Sequence, residues 1–112
     1  MANPSIKKLA LAPFATSAAN IYTPSGTTTY DIIKHIHIAN TTAGALTFTL
    51  FLTQSTGVET AGKELFVAVS VPANSVYDWY CNLKLVAGTD FLVGHASAVT
   101  MTILVEGETY AI

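Results

Sequence analysis

The chain of 112 residues contains no arginine, only five lysines, and charged side chains at 11% of its length, against about 25% in an average soluble domain. With a formal charge of -2 it offers no cationic surface to neutralise phosphates, so nucleic acid is not an expected partner. There is one cysteine, Cys81, which excludes an internal disulfide and hence a stapled secreted scaffold. Cys81 closes the aromatic stretch Val76-Tyr77-Asp78-Trp79-Tyr80-Cys81. It is expected to be a small buried hydrophobe, since the local sequence supplies neither a histidine nor a helix N-terminus to activate a thiol. No run of about 18 apolar residues occurs, so no transmembrane helix and no membrane partner are expected.

What the chain has in excess is apolar surface. Hydrophobic residues make up 51%, ample to offset the entropy of ordering, and disorder is not expected. The length is that of one domain. Lys7 and Lys8 before Leu9-Ala10-Leu11-Ala12-Pro13-Phe14-Ala15 imitate a signal peptide, but the apolar stretch is at the short limit and contains a proline. Residues 1–17 are expected to be a structured N-terminal arm or a first strand, and 18–112 a single domain.

The hydrophobic period is two along most of the chain. Leu46, Phe48, Leu50 and Leu52 alternate with Thr47, Thr49, Phe51 and Thr53. Val99, Met101, Ile103 and Val105 form a second set; Leu65, Val67, Val69 and Val71 a third; Ile32, Ile36 and Ile38, interrupted by Lys34, a fourth. Helical spacing fits best over 58–69, where Gly62 and β-branched residues oppose it. Turn chemistry at Thr23-Pro24-Ser25-Gly26, Asn40-Thr41-Thr42-Ala43-Gly44, Ser55-Thr56-Gly57, Val71-Pro72-Ala73-Asn74 and Ala87-Gly88-Thr89-Asp90 separates the segments. Strands are therefore expected over 7–12, 18–23, 29–39, 45–54, 64–71, 75–81, 90–96 and 99–106, with a short ninth at 108–111. The fold class is all-β: an antiparallel β-sandwich, jelly-roll-like, of about eight strands.

Chemistry is sparse. His35 and His37 are two apart in a strand and point the same way, a spacing that presents two imidazoles to one metal. A site needs three or four ligands, and strict alternation offers Asp31 and Ile33 on that face. His95 lies on another strand that nothing in the sequence brings near. Solvent-facing or contact histidines are the expectation, and no metal site is assigned. No G-x-S-x-G occurs to make a nucleophile turn. The paired carboxylates Glu106 and Glu108, flanking Gly107, read as the end of the last strand, and Gly88 and Gly94 open no helix that would cradle phosphate. No catalytic or cofactor-binding residues, and no cofactor, are expected. Tyr77, Trp79 and Tyr80 suggest a carbohydrate platform, but alternation sends Tyr80 the opposite way from the other two.

Strict alternation also places Phe51, Phe66, Leu104 and Ile33 on outer faces. Large exposed apolar patches mark interfaces, and scarce lysine leaves strand edges unguarded. A permanently assembled subunit is expected.

The order Ile21-Tyr22-Thr23-Pro24-Ser25-Gly26, Ile32-Ile33-Lys34-His35-Ile36-His37-Ile38-Ala39-Asn40-Thr41-Thr42, Val71-Pro72-Ala73-Asn74, Leu85-Val86-Ala87-Gly88-Thr89-Asp90 and Val105-Glu106-Gly107-Glu108 resembles small β-sandwich virion structural proteins of tailed bacteriophages. Three departures stand out: Thr23 where the pattern has Val, Thr89 between Gly88 and Asp90, and the additional acid of the closing motif. The resemblance implies a non-enzymatic virion protein. Its expected role is a capsid decoration (cement) protein on the head surface, a homotrimer bridging the major capsid protein, with the N-terminal arm or an edge strand pairing with the capsid protein by strand addition. The alternative it implies is a tail or fibre component that binds host glycans or adapts other tail proteins.

Overall fold

The structure, a computed structural model, describes residues 6–111. Eight strands follow one another: β1 (Lys7–Pro13), β2 (Ala19–Tyr22), β3 (Thr29–Asn40), β4 (Leu46–Thr53), β5 (Glu64–Val71), β6 (Ser75–Val86), β7 (Phe91–Ala96) and β8 (Met101–Ala111). They form two antiparallel sheets, ordered β1-β8-β3-β6 and β2-β7-β4-β5. Chain-adjacent strands mostly lie in opposite sheets, which is the jelly-roll arrangement of an all-β sandwich. No helix among the described residues is long and apolar enough to cross a membrane.

The alternating segments are strands because one side of each reaches the shared interior. Ile36, Ile38, Phe48, Leu50, Val71, Leu85, Leu92, Met101, Ile103 and Val105 are buried there together. The ring of Phe48 meets Phe66 and Tyr77 at centroid distances of 5.6 and 5.3 Å, and Phe66 meets Trp79 edge-on at 4.9 Å. Such pairs are worth about 0.5–1.5 kcal/mol each beyond their buried area. Tyr77 and Trp79 are thus half-buried against the core, on the opposite side of β6 from exposed Tyr80. Cys81 shares their side of β6, half-buried, and its thiol donates to the Ile33 carbonyl at 3.3 Å. Burial pushes its pKa up, so it is not an activated nucleophile.

Bulges account for the misplaced residues. Between Ile33 and His35 the β3 register shifts against both neighbours. Two consecutive side chains, Lys34 and His35, therefore face outward, and everything before Lys34 changes phase. Ile33 and Asp31 are interior, fully or nearly fully buried, not outer-face residues beside His35. In β5, Ala68 adopts φ 47°, and its N–H is taken by the Thr49 hydroxyl at 3.0 Å. This second bulge turns Phe66 onto the core and leaves Val67 exposed, exchanging those two, while Leu65, Val69 and Val71 keep the expected inward side. Phe51 does lie on the outer side, yet it is buried with its cross-strand partner Val93. The 54–63 loop returns over that side: Lys63 O accepts from Leu52 N, and Glu59 bonds His95 at 2.5 Å. The ninth strand merges into β8, which runs unbroken through Gly107, and β6 extends beyond 81 because Leu83 and Leu85 continue its inward alternation opposite Ile33 and Asp31.

Residues 7–13 of the expected arm pair with β8 of their own chain; residues 1–5 of that expectation lie outside the described residues.

Among the described residues the interior carries one carboxylate. Asp31 is 1% exposed, and its Oδ2 accepts the Tyr22 hydroxyl while Oδ1 has no partner. Burial first, then this bond and the Asp31 charge, push the Tyr22 phenol above its ordinary pKa. Tyr22→Phe removes the one side-chain donor to a buried acid, and a loss of about 1–3 kcal/mol is expected. Urea unfolding should show a lower midpoint at an unchanged slope; an unshifted midpoint would mean that water serves Asp31 equally well.

Candidate functional site

The outer face of the β1-β8-β3-β6 sheet gathers the polar chemistry of the molecule. Cross-strand pairing sets its rows. Lys8, Glu106, His35 and Tyr80 lie in one row, and Leu11, Leu104, His37 and Asp78 in the next. The two histidines occupy the centre because β3 is an inner strand and its bulge ends at His35. Asp78 and Tyr80 come from edge strand β6, and Glu106 comes from β8.

The side chains converge. Asp78 Oδ1 lies 2.8 Å from His35 Nε2 and 2.6 Å from His37 Nδ1, and Glu106 Oε1 lies 2.8 Å from His35 Nδ1. The Tyr80 ring stacks on the His35 imidazole, with centroids 4.3 Å apart and planes 7° from parallel, and covers it while remaining 75% exposed itself. Lys34 donates to Asn82 at 2.6 Å and stands 3.8 Å from Glu108. Partial burial of His35 disfavours its charge, but the bonds to Glu106 and Asp78 and their negative charges outweigh that, and its pKa is raised. The hydrogen bonds from His37 and His35 hold the Asp78 carboxyl below its ordinary range.

Of the candidates read from sequence, His35 and His37 are together. Asp31 is on the opposite side of the sheet, removed by the Lys34 bulge. His95 belongs to the other sheet, bonded to Glu59. Glu106 and Glu108 do share a face, within β8 rather than at its end. Asp78 is the partner that sequence reading did not supply. It sits in an aromatic stretch, 41 residues from His37, and only the β3–β6 register brings it across. Alternation places Asp78 on the Tyr80 side of β6, but the pairing itself is not written in either segment.

A second feature is an open pocket of about 470 Å³ lined by Lys7, Lys8, Tyr22, Thr23, Thr29, Asp31 and others. It holds a buried acid, five hydroxyl-bearing neighbours (Ser25 and Thr109 included) and two lysines, with no arrangement of nucleophile and base.

No protein-family model matches the chain, and no curated protein matches it. Among solved structures, that of the infectious bursal disease virus Gx strain is similar with a TM-score of 0.36 and 9% identity, over 96% of this chain and 31% of that one. A pentameric capsid protein isolated from metagenomic phage sequences is similar at a TM-score of 0.23 and 18% identity, over 97% of this chain and 61% of that one. The infectious bursal disease virus Gt strain gives 0.21 and 13%, over 98% and 28%. This chain spans less than two thirds of each, and a likeness at this level brings no function with it.

Proposed function

We propose that this protein is a non-enzymatic structural subunit of a virion, a capsid decoration protein that assembles through the β6 side of its sandwich. The supporting observation is the difference between its four sheet edges. Strand β1 is bulged at 8–10 and ends in Pro13, β2 is 4 residues long, and β5 is broken by the Ala68 bulge. These are the devices by which sheets avoid pairing with strangers. Strand β6 has 12 residues, no proline, one lysine, and exposed Val76 and Tyr80 beside its open edge. An edge of this kind suits strand addition by a second copy or by a capsid protein. Modest contacts then suffice, because many copies on a lattice act together. Strand β1 pairs with β8 on one side and carries a bulge and Pro13 at its other, open edge, so of the two expected routes, arm or edge strand, this reading takes the edge strand β6. The motif resemblance supplies the virion setting, and the packing of Tyr77 and Trp79 against the core favours decoration over a glycan-binding tail role.

The test is association and occupancy. Val76→Lys places a charge on the exposed side of β6 without touching the core. It is expected to weaken self-association or capsid binding at least about tenfold, equivalent to 1.4 kcal/mol, with the melting temperature of the dilute protein unchanged. Undiminished assembly measured by sedimentation and by capsid occupancy would sink the β6 reading. Copy number per particle separates the head from the tail: near parity with the major capsid protein is expected for decoration.

A further inference from the structure

We infer that His35, His37 and Asp78 form a binding site for a single divalent transition-metal ion, Zn²⁺ by donor chemistry, on the outer face of the β1-β8-β3-β6 sheet. The inference does not depend on the assembly reading. Three ligand atoms, His35 Nε2, His37 Nδ1 and a carboxylate oxygen of Asp78, lie within 4.8 Å of one another. Two imidazoles and one carboxylate are a donor set that suits zinc, whereas calcium and magnesium take oxygen ligands. Ligands at about 2.0–2.1 Å from a tetrahedral zinc stand somewhat farther apart than the present 2.6–2.8 Å spacings to Asp78. A small withdrawal of Asp78, which sits exposed on an edge strand, opens the space. The fourth position faces away from the sheet and is left to water or to a donor from a neighbouring molecule.

A second observation points the same way. Metal-binding imidazoles characteristically donate their other ring N–H to a carboxylate, which fixes the tautomer and aims the lone pair. His35 has this arrangement: Nδ1 is held at 2.8 Å by Glu106 Oε1, so Nε2 is the nitrogen that points to Asp78, and Tyr80 stacked on the ring fixes its plane. The backbone adds rigidity, since both histidines lie on an inner strand paired on both sides.

The experiment is titration of the chelator-stripped, tag-free chain with ZnCl₂ at pH 7.5, followed by calorimetry and by ¹⁵N spectra of the histidine side chains. One zinc per chain is expected, with the His35 Nε2 and His37 Nδ1 resonances shifted, His35 Nδ1 still protonated, and His95 unmoved. CaCl₂ and MgCl₂ are expected to give no such shift. His37→Gln should weaken zinc binding at least a hundredfold, and Glu106→Gln by about 10–100-fold, both with unchanged far-ultraviolet circular dichroism. Absence of stoichiometric uptake overturns the site, as does uptake that shifts His95 or that survives in His37→Gln. Should a variant fail to fold, the nitrogen shifts of the unaltered chain decide the matter alone.

Discussion

Replacing Asn40 by alanine should destabilise the protein by about 2–4 kcal/mol, the cost of leaving one or two buried polar groups without partners. Asn40 ends β3, is 1% exposed, and donates from Nδ2 to the carbonyls of Gly44, Val71 and Pro72 at 2.9, 3.0 and 3.1 Å. Its Oδ1 accepts from Thr42 N–H at 3.0 Å and from the Thr42 hydroxyl at 2.7 Å. One amide therefore joins the turn after β3 to the turn between β5 and β6, and those turns belong to strands of opposite sheets. Alanine supplies neither donor nor acceptor, and the position itself is almost wholly shielded from solvent. The near-isosteric Asn40→Asp is expected to do at least as badly at neutral pH, because its second oxygen would face carbonyl oxygens rather than donate to them. Thr42→Val, which loses only the outer hydroxyl, should cost under about 1 kcal/mol. Denaturant unfolding of the three variants measures the order; an aspartate as stable as the parent would show that the carbonyls are served by something other than the Asn40 amide.

That clamp also shows what the sequence makes legible and what it does not. Asn40-Thr41-Thr42 and Val71-Pro72 are each readable as turns from local chemistry; alternation marks four of the strands, because each presents one side to a common interior, and the spacing of turn signals marks the others. Local patterning contains no information about which turn meets which. The same limit applies to the site. His35 and His37 declare themselves by spacing two, but the bulge at Lys34 breaks the period that would have grouped them with Asp31. A bulge is one extra residue whose cause is tertiary: here Ile33 and Ile36 must both point inward, three positions apart, to fill the core on either side of it. Alternation continued blindly through Lys34 sends Ile33 to the surface, and continued through Ala68 sends Phe66 there too. Each error arises where packing overrides period, and the Lys34 bulge also delivers His35 to Glu106 and Asp78.

The largest single effect is expected at the glycine facing that bulge. Gly107→Ala should destabilise the fold by about 3 kcal/mol or more, a large share of the roughly 5–15 kcal/mol that holds a domain together. The reason is space, since Gly107 is not among the residues with positive φ. A Cβ at 107 would stand 2.2 Å from the Ile32 carbonyl oxygen and 2.9 Å from Ile33 Cα, far inside van der Waals contact and against backbone that cannot rotate away. Gly107 pairs with Ile33 where the β3 register shifts, so the extra residue of the bulge brings main chain into the volume a side chain would occupy. Strand β8 is held between β1 and β3, and neither side can widen without breaking a ladder. Gly44→Ala is the control: nothing lies within 4 Å of the added methyl, and its midpoint should move by less than about 0.5 kcal/mol. Because Glu106 precedes Gly107 directly, the His35 Nδ1 proton signal should weaken in folded Gly107→Ala before global unfolding is reached. A Gly107→Ala protein as stable as Gly44→Ala would mean that β3 is not bulged at Lys34, and the placement of His35 beside Glu106 would fall with it.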